Sequence, residues 1–221
     1  MKQHEAPNEP IALLGGTFDP VHYGHLRCAE EARRKLRLKK LYLLPAGQPP
    51  HRGLPQADTR QRLDMLKLAL KEFPSLDIDD RETRRDGPSY MVDTLSDIRK
   101  AAHGQPLLLL IGQDAANLLH TWFEWERLFS LANIVILTRP GAAEEYRQDV
   151  ADEIRHRLTT DVSELGVSVA GKVLQLEVTS IDVSATAIKQ CLGEGRSAAN
   201  TLPVEVLDYI HRQHLYWHGS P

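Results

Sequence analysis

Two histidines, His22 and His25, frame Gly24 and follow a glycine pair in the run Gly15-Gly16-Thr17-Phe18-Asp19-Pro20-Val21-His22-Tyr23-Gly24-His25. Imidazoles donate hydrogen bonds near neutral pH, and glycines let a ligand come close to the backbone. Upstream, Ile11-Ala12-Leu13-Leu14 reads as a short buried strand; downstream, Leu26, Ala29 and Leu36 fall on one face of a helix. The turn therefore lies at a helix N-terminus, where unpaired N–H groups and a partial positive charge favour an anion. The chemistry implied is capture of a polyphosphate, with the imidazoles reaching past the backbone donors. A tight turn with histidines closing a helix end is the plainer alternative, and it fits a lone glycine pair or a lone histidine better than this combination.

Strands and helices alternate along the rest of the chain. Leu41 to Leu44 reads as a strand, followed by a helix near Thr59 to Lys71, a short strand around Leu76 to Ile78 and a helix near Ser89 to Ala102. Next come a strand at Leu107 to Ile111, helical pieces between Asp114 and Phe129, and a strand at Ala132 to Leu137 whose run Ile134-Val135-Ile136-Leu137 suits cover on both faces. A helix from about Ala142 to Leu158, a strand at Val173 to Val178, a helix from Ser184 to Leu192 and a terminal helix after Pro203 complete the series. This alternation predicts an α/β fold: a doubly wound, Rossmann-like parallel sheet with right-handed crossovers and a small helical C-terminal appendage. Residues 1–10 are expected to be a flexible tail. Residues 11–221 are expected to form one domain, its C-terminal helical part starting near residue 182. Ligands of such sheets bind beyond the carboxyl ends of the strands, so each chemical motif should sit just after one.

Composition narrows the class of partner. With 221 residues, 42% of them hydrophobic, the chain is long enough for one well-filled α/β domain. A net charge of -3 with both signs interspersed leaves no basic footprint for nucleic acid, so phosphate ligands must be met by local groups. Cys28 and Cys191 are far apart with no C-x-x-C pattern, the first ten residues are polar, and the run Leu107 to Ile111 is too short to cross a bilayer. These features predict a cytoplasmic protein with reduced thiols and no membrane partner.

The segment from Gly15 to His25 resembles the signature of the nucleotidylyltransferase superfamily, whose H-x-G-H element binds a nucleotide triphosphate. In the form G-G-T-F-D-P-x-H-x-G-H it is most similar to the bacterial nicotinate-mononucleotide adenylyltransferases, which transfer AMP from ATP to nicotinate mononucleotide in NAD synthesis and release pyrophosphate. The resemblance implies that His22 and His25 are catalytic, holding phosphate oxygens, and that Gly15, Gly16, Thr17 and Phe18 lie against ATP.

Other motifs follow in order. Leu44-Pro45 leads into Gly47-Gln48-Pro49-Pro50-His51-Arg52-Gly53, which is either a plain surface turn or, as the family's P-P-H-K/R implies, a loop over the nucleotides with His51 and Arg52 at phosphates. Gly112-Gln113-Asp114 closes a strand. Asp114 suits a helix cap, and the family's G-x-D implies a carboxylate near ribose hydroxyls; one residue can do both. Trp122-Phe123-Glu124-Trp125 is the densest aromatic cluster in a chain only 6% aromatic. Core packing is the usual fate of such residues, whereas the family implies that Trp122 and Phe123 belong to the mononucleotide pocket and Trp125 to packing. Ser89-Tyr90-Met91 resembles P-S-Y-T, placing Tyr90 and Met91 in the same pocket; Met91 for Thr is harmless if the backbone N–H acts, whereas nicotinate binding must differ if the hydroxyl does. Arg139-Pro140-Gly141 matches R-P-G, so Arg139 is expected near the mononucleotide or the transferred phosphate.

Val183-Ser184-Ala185-Thr186-Ala187-Ile188-Lys189 opens a helix, and Ser184 is a fitting N-cap. The family's I-S-S-T-x-I/L-R implies that Ser184, Thr186 and Lys189 meet the outer phosphates. Lys189 stands for Arg and Ala185 for Ser, and a lysine keeps the charge without the planar fork. Gly166 to Lys172 approaches P-loop spacing, but Val173 occupies the position that needs Ser or Thr, and a strand follows instead of a helix. The resemblance implies ATP and nicotinate mononucleotide as small-molecule substrates, with Mg²⁺ carried on the ATP phosphates and no dedicated protein metal site. Nicotinamide-mononucleotide or pantetheine-phosphate adenylyl transfer, and a non-catalytic nucleotide-binding regulator, are the alternatives. An oligomer is compatible with the sequence.

Overall fold

In the computed structural model, described over residues 9–48, 55–102, 104–179 and 181–217, six strands form one parallel sheet. They are β1 (Ile11–Gly16), β2 (Leu41–Pro45), β3 (Leu76–Ile78), β4 (Leu107–Gly112), β5 (Asn133–Thr138) and β6 (Val173–Glu177), in spatial order β3-β2-β1-β4-β5-β6. Register runs Leu13 beside Tyr42 and Leu109, so β1 lies in the middle, and the winding reverses between β1 and β4. The helices are α1 (Tyr23–Lys35), α2 (Thr59–Ala69), α3 (Met91–Ala101), α4 (Gln113–Asn117), α5 (Trp125–Leu131), α6 (Gln148–Arg157), α7 (Val162–Leu165), α8 (Ala185–Gly193) and α9 (Val204–Arg212).

Strand side chains alternate between two layers, which is why the central strands are apolar at nearly every position. Ala12, Leu14, Leu43, Leu110 and Val135 face one core with Leu26 and Ala29 of α1, Met65 and Leu66 of α2, Ile188 of α8 and Val206 and Ile210 of α9. Leu13, Leu109, Ile111 and Ile136 face the other, with Leu95 of α3, Trp125 and Phe129 of α5 and Ile154 of α6. The helical C-terminal part is thus built into the first core through α9, which packs on α2. Cutting Ile210 back to alanine would cost about 2–5 kcal/mol, as for any fully buried aliphatic. Among the described residues no helix is long and apolar enough to cross a membrane.

Boundaries differ from the sequence reading in three instructive places. The helix expected from Ala142 starts only at Gln148, because Gly141 turns the chain with φ 79 and the next residues are drawn onto α4. Asn117 Nδ2 donates to the Ala143 carbonyl, the Glu145 amide donates to Asn117 Oδ1, and Gln113 Nε2 donates to the Tyr146 hydroxyl, so side-chain amides take groups that a helical turn needs. The helix expected to reach Lys71 tightens after Ala69 into a 3₁₀ turn, Leu70–Glu72. The short α7 went unanticipated; Asp161 nucleates it by accepting from the Ser163 amide.

Candidate active site

Beyond the carboxyl ends of β1 and β4, where the winding reverses, lies a cleft of about 920 Å³. Its walls bring together Gly15, Gly16, Thr17, Phe18, His22, His25, Gly112, Asp114, Arg139, Ser184, Thr186 and Lys189, drawn from the ends of β1, β4 and β5 and the starts of α1, α4 and α8.

The glycine turn has a steric cause. A Cβ at Gly16 would come within 2.8 Å of the Phe18 ring, which is buried beneath it, and Phe18 itself adopts the left-handed backbone with φ 52. Phe18 therefore packs beneath the glycine turn while bordering the cleft. Its ring meets His25 edge-on, the centroids 5.1 Å apart. His22 is the residue at which α1 begins, and its side chain makes no cap; the Tyr23 amide donates to the Thr201 carbonyl and the His25 amide to the His22 carbonyl, which leaves the Gly24 N–H for an anion at this helix start. A Cβ at Gly24 would lie 2.9 Å from the His22 ring, so only glycine lets that imidazole fold back over the helix start. There it stacks on His25 at 3.7 Å with 23° between the planes.

His22 is only 5% exposed, and its Nδ1 has no hydrogen-bond partner among the described residues. Burial, with the nearby Arg139 charge adding to it, pulls its pKa down to about 4, so the imidazole is neutral at pH 7 and offers one N–H. Arg139 itself is exposed at the end of β5. Cys28 also borders the cleft; burial pushes its thiol up to about 11, which keeps it protonated and unreactive.

Across the cleft, Ser184 Oγ accepts from the Ala187 amide over 3.1 Å and caps α8, while Thr186 is exposed one turn inside. Lys189 reaches back to donate to Asp19 Oδ2 over 3.2 Å. Asp114 is exposed at the rim, but it does not cap the following helix: Gly112 holds the cap position and Asp114 lies in the first turn, where its side chain is past the orphan amides.

Tyr90, Met91, Trp122 and Phe123 are not on the walls of this cleft and form a neighbouring cluster where α3 and α5 start. The Tyr90 and Phe123 rings lie 4.7 Å apart, tilted by 39°. Phe123 is 50% exposed, whereas Trp122 is half-buried and Trp125 is buried against Phe129. Met91 links the two regions, its Cε close enough to contact any side chain at Gly15. No side chain caps α3. His51 and Arg52 lie outside the described residues.

Residues 13–191 match the model of the cytidylyltransferase-like family. A protein of Methylococcus capsulatus named "probable nicotinate-nucleotide adenylyltransferase" is 49% identical over 93% of this chain and 99% of its own length. One of the same name from Halorhodospira halophila is 41% identical over 97% of this chain and 98% of its own. The chain belongs to the nicotinate-nucleotide adenylyltransferase family. The nicotinic acid mononucleotide adenylyltransferase of Plasmodium falciparum, solved in complex with NaAD, shares the fold with a TM-score of 0.74 over 95% of this chain and 98% of its own, at 14% identity.

Three buried charged residues escaped the sequence reading: Asp19 on the cleft wall, and Arg62 and Glu82 away from it. Asp19, 6% exposed, accepts from the Gln56 and Ala57 amides, the Tyr216 hydroxyl and Lys189. Burial pushes its carboxyl up, but those donors outweigh burial and leave it below the usual value, hence ionised. Arg62, 1% exposed, donates to the carbonyls of Thr17 and Ala46 from one nitrogen and to Gly47 from another, fixing the ends of β1 and β2. It had a visible signal: with Met65, Leu66 and Ala69 it falls on the buried stripe of α2, where a cation is out of place unless it holds something. Glu82, also buried, accepts from the Thr94 hydroxyl, and burial raises its pKa.

Proposed function

We propose that this cleft transfers AMP from ATP to nicotinate mononucleotide, forming deamido-NAD and pyrophosphate. The observation that carries the reading is the stacked pair His22 and His25 at a helix start without a side-chain cap, beside a glycine turn and opposite Lys189. Family membership fits it, as do the names of the relatives.

A 5′-phosphate oxygen of the mononucleotide forms a bond to the α-phosphorus, the bond from that phosphorus to the bridging oxygen breaks, and pyrophosphate leaves with the electron pair. The nucleophile is already an anion at neutral pH, so no general base is required, in keeping with a His22 that is neutral and held for donation. Catalysis then rests on alignment and on neutralising charge in the transition state. His22 and His25 hold the α and β phosphates, the α1 N-terminus and the Gly15–Thr17 backbone add donors, and Ser184, Thr186 and Lys189 meet the outer phosphates. Arg139 faces the transferred phosphate. Tyr90, Met91, Trp122 and Phe123, with Gly112 and Asp114, receive the mononucleotide, the N–H groups at the start of α3 facing its carboxylate. Mg²⁺ enters with ATP on the phosphate oxygens. Among the described residues no three His, Cys, Asp or Glu groups gather as a metal cage. The reaction is assigned to the cytoplasm.

Pyrophosphate release from Mg-ATP with nicotinate mononucleotide, nicotinamide mononucleotide and pantetheine phosphate tests the proposal. Turnover is expected with the first. Turnover with only one of the others moves the protein to another branch, and tight ATP binding with no turnover makes it a nucleotide-binding regulator.

A further inference from the structure

Three separate parts of the chain converge on the Asp19 carboxylate. The Tyr216 hydroxyl donates to Oδ1 over 2.7 Å and the Ala57 amide to the same oxygen over 3.1 Å. The Gln56 amide donates to Oδ2 over 3.0 Å and Lys189 over 3.2 Å. Tyr216 comes from beyond the last helix, 197 residues away in sequence, with its backbone in the left-handed region at φ 65 and its side chain buried. A bulky residue adopts that conformation at a cost, so the packing around it must hold it there.

An ionised carboxylate beside a triphosphate site repels the ligand unless its charge is met, and here three donors other than lysine meet it. The Lys189 ammonium has three N–H groups, of which Asp19 occupies one; the side chain is 26% exposed and on the cleft wall. A lysine stem is flexible, and a fixed acceptor selects one of its arrangements before ATP arrives. Loss of the tyrosine hydroxyl would leave Oδ1 a donor short and draw the ammonium further onto the carboxylate.

We propose that Tyr216 is a positioning residue for the phosphate end of the site: its hydroxyl fixes Asp19, and Asp19 fixes Lys189 for the outer phosphates of ATP. The inference rests on the adenylyl-transfer reading above. It makes the C-terminal segment a working part of a site whose other groups come from strand ends and helix starts.

The test is steady-state kinetics of the full chain with Mg-ATP and nicotinate mononucleotide, comparing wild type, Tyr216→Phe, Lys189→Ala and the double variant. Tyr216→Phe keeps the ring and loses one hydrogen bond to a charged group, so the KM for ATP should rise on the order of tenfold. The KM for the mononucleotide should stay within about twofold, and adding Tyr216→Phe to Lys189→Ala should change the KM for ATP no further, as expected of residues acting in series. Equal rises in both KM values, or additive effects in the double variant, overturn the inference. If Tyr216→Phe does not fold, Asp19→Asn is measured instead, and an unchanged KM for ATP overturns it. A wild-type protein that releases no pyrophosphate refutes the underlying reading, an outcome distinct from a normal wild type with a silent Tyr216→Phe.

Discussion

The rings of His22 and His25 stack with centroids 3.7 Å apart, and the face of His22 crosses the one helical position, Gly24, where a side chain would obstruct it. The two imidazoles therefore form one stacked pair at the start of α1, proposed above to donate to the α and β phosphates. His22→Ala and His25→Ala should each lower kcat by about 10²–10³, the usual loss for one preorganised donor to a developing charge. Circular dichroism is expected to be unchanged, and pyrophosphate release near the wild-type rate in either variant would remove the assigned role.

Gly24→Ala tests the same geometry from beneath. Inside an exposed helix this change commonly stabilises by about 0.5–1 kcal/mol. Here the added methyl would meet His22 ring atoms at 2.9 Å and the Val183 carbonyl at 3.3 Å, which reverses the sign. Urea unfolding should show a loss of about 1–3 kcal/mol, typical of overpacking, with a fall in kcat of at least about tenfold from the displaced ring. A variant both more stable and fully active would contradict the packing described.

The buried neutral His22 also sets a dependence of stability on acidity. Its folded-state pKa is about 4 against an ordinary 6.5, so the unfolded chain takes up the proton first as pH falls. The contribution is intact above pH 6.5 and is lost progressively towards pH 4, amounting to about 2 kcal/mol between pH 7 and pH 5. Denaturant titrations at the two pH values on wild type and His22→Asn check this. The variant should lose about 2 kcal/mol less over the interval, and identical losses would place the titration elsewhere.

How much of this was legible in the sequence depended on the distance between partners. The glycine turn, the paired histidines and the Ser184 cap are local, so spacing alone located them. The parallel sheet followed from apolar runs such as Leu107 to Ile111. Asp19 lay within the very run that was read, yet its role depends on Tyr216, and no periodicity links the two. Asp114 was misplaced by two positions, because Gly112 caps the helix, which begins at Gln113. Arg62 was legible in principle, as a cation on an apolar stripe, but charges on helices usually face water and so attract little notice.

Acid specificity tests the neighbouring aromatic cluster. Backbone N–H groups near Met91 and Phe123 suit a carboxylate, which accepts from each of them, whereas an amide would set its NH₂ against them. Mispairing of this kind costs about 1–3 kcal/mol per group, so two clashes give a preference on the order of 10²–10⁴ for nicotinate over nicotinamide mononucleotide. A comparison of kcat/KM for the two at saturating Mg-ATP decides it; a ratio near one or an amide preference points to a different pocket.

The contact between Asp19 and Tyr216 also has a temporal side. β1, β2 and the glycine turn all lie before residue 46, whereas Tyr216 comes 197 residues after Asp19. During synthesis the carboxylate beside the histidine pair therefore cannot receive its tyrosine until residue 216 has left the ribosome, long after the glycine turn was translated.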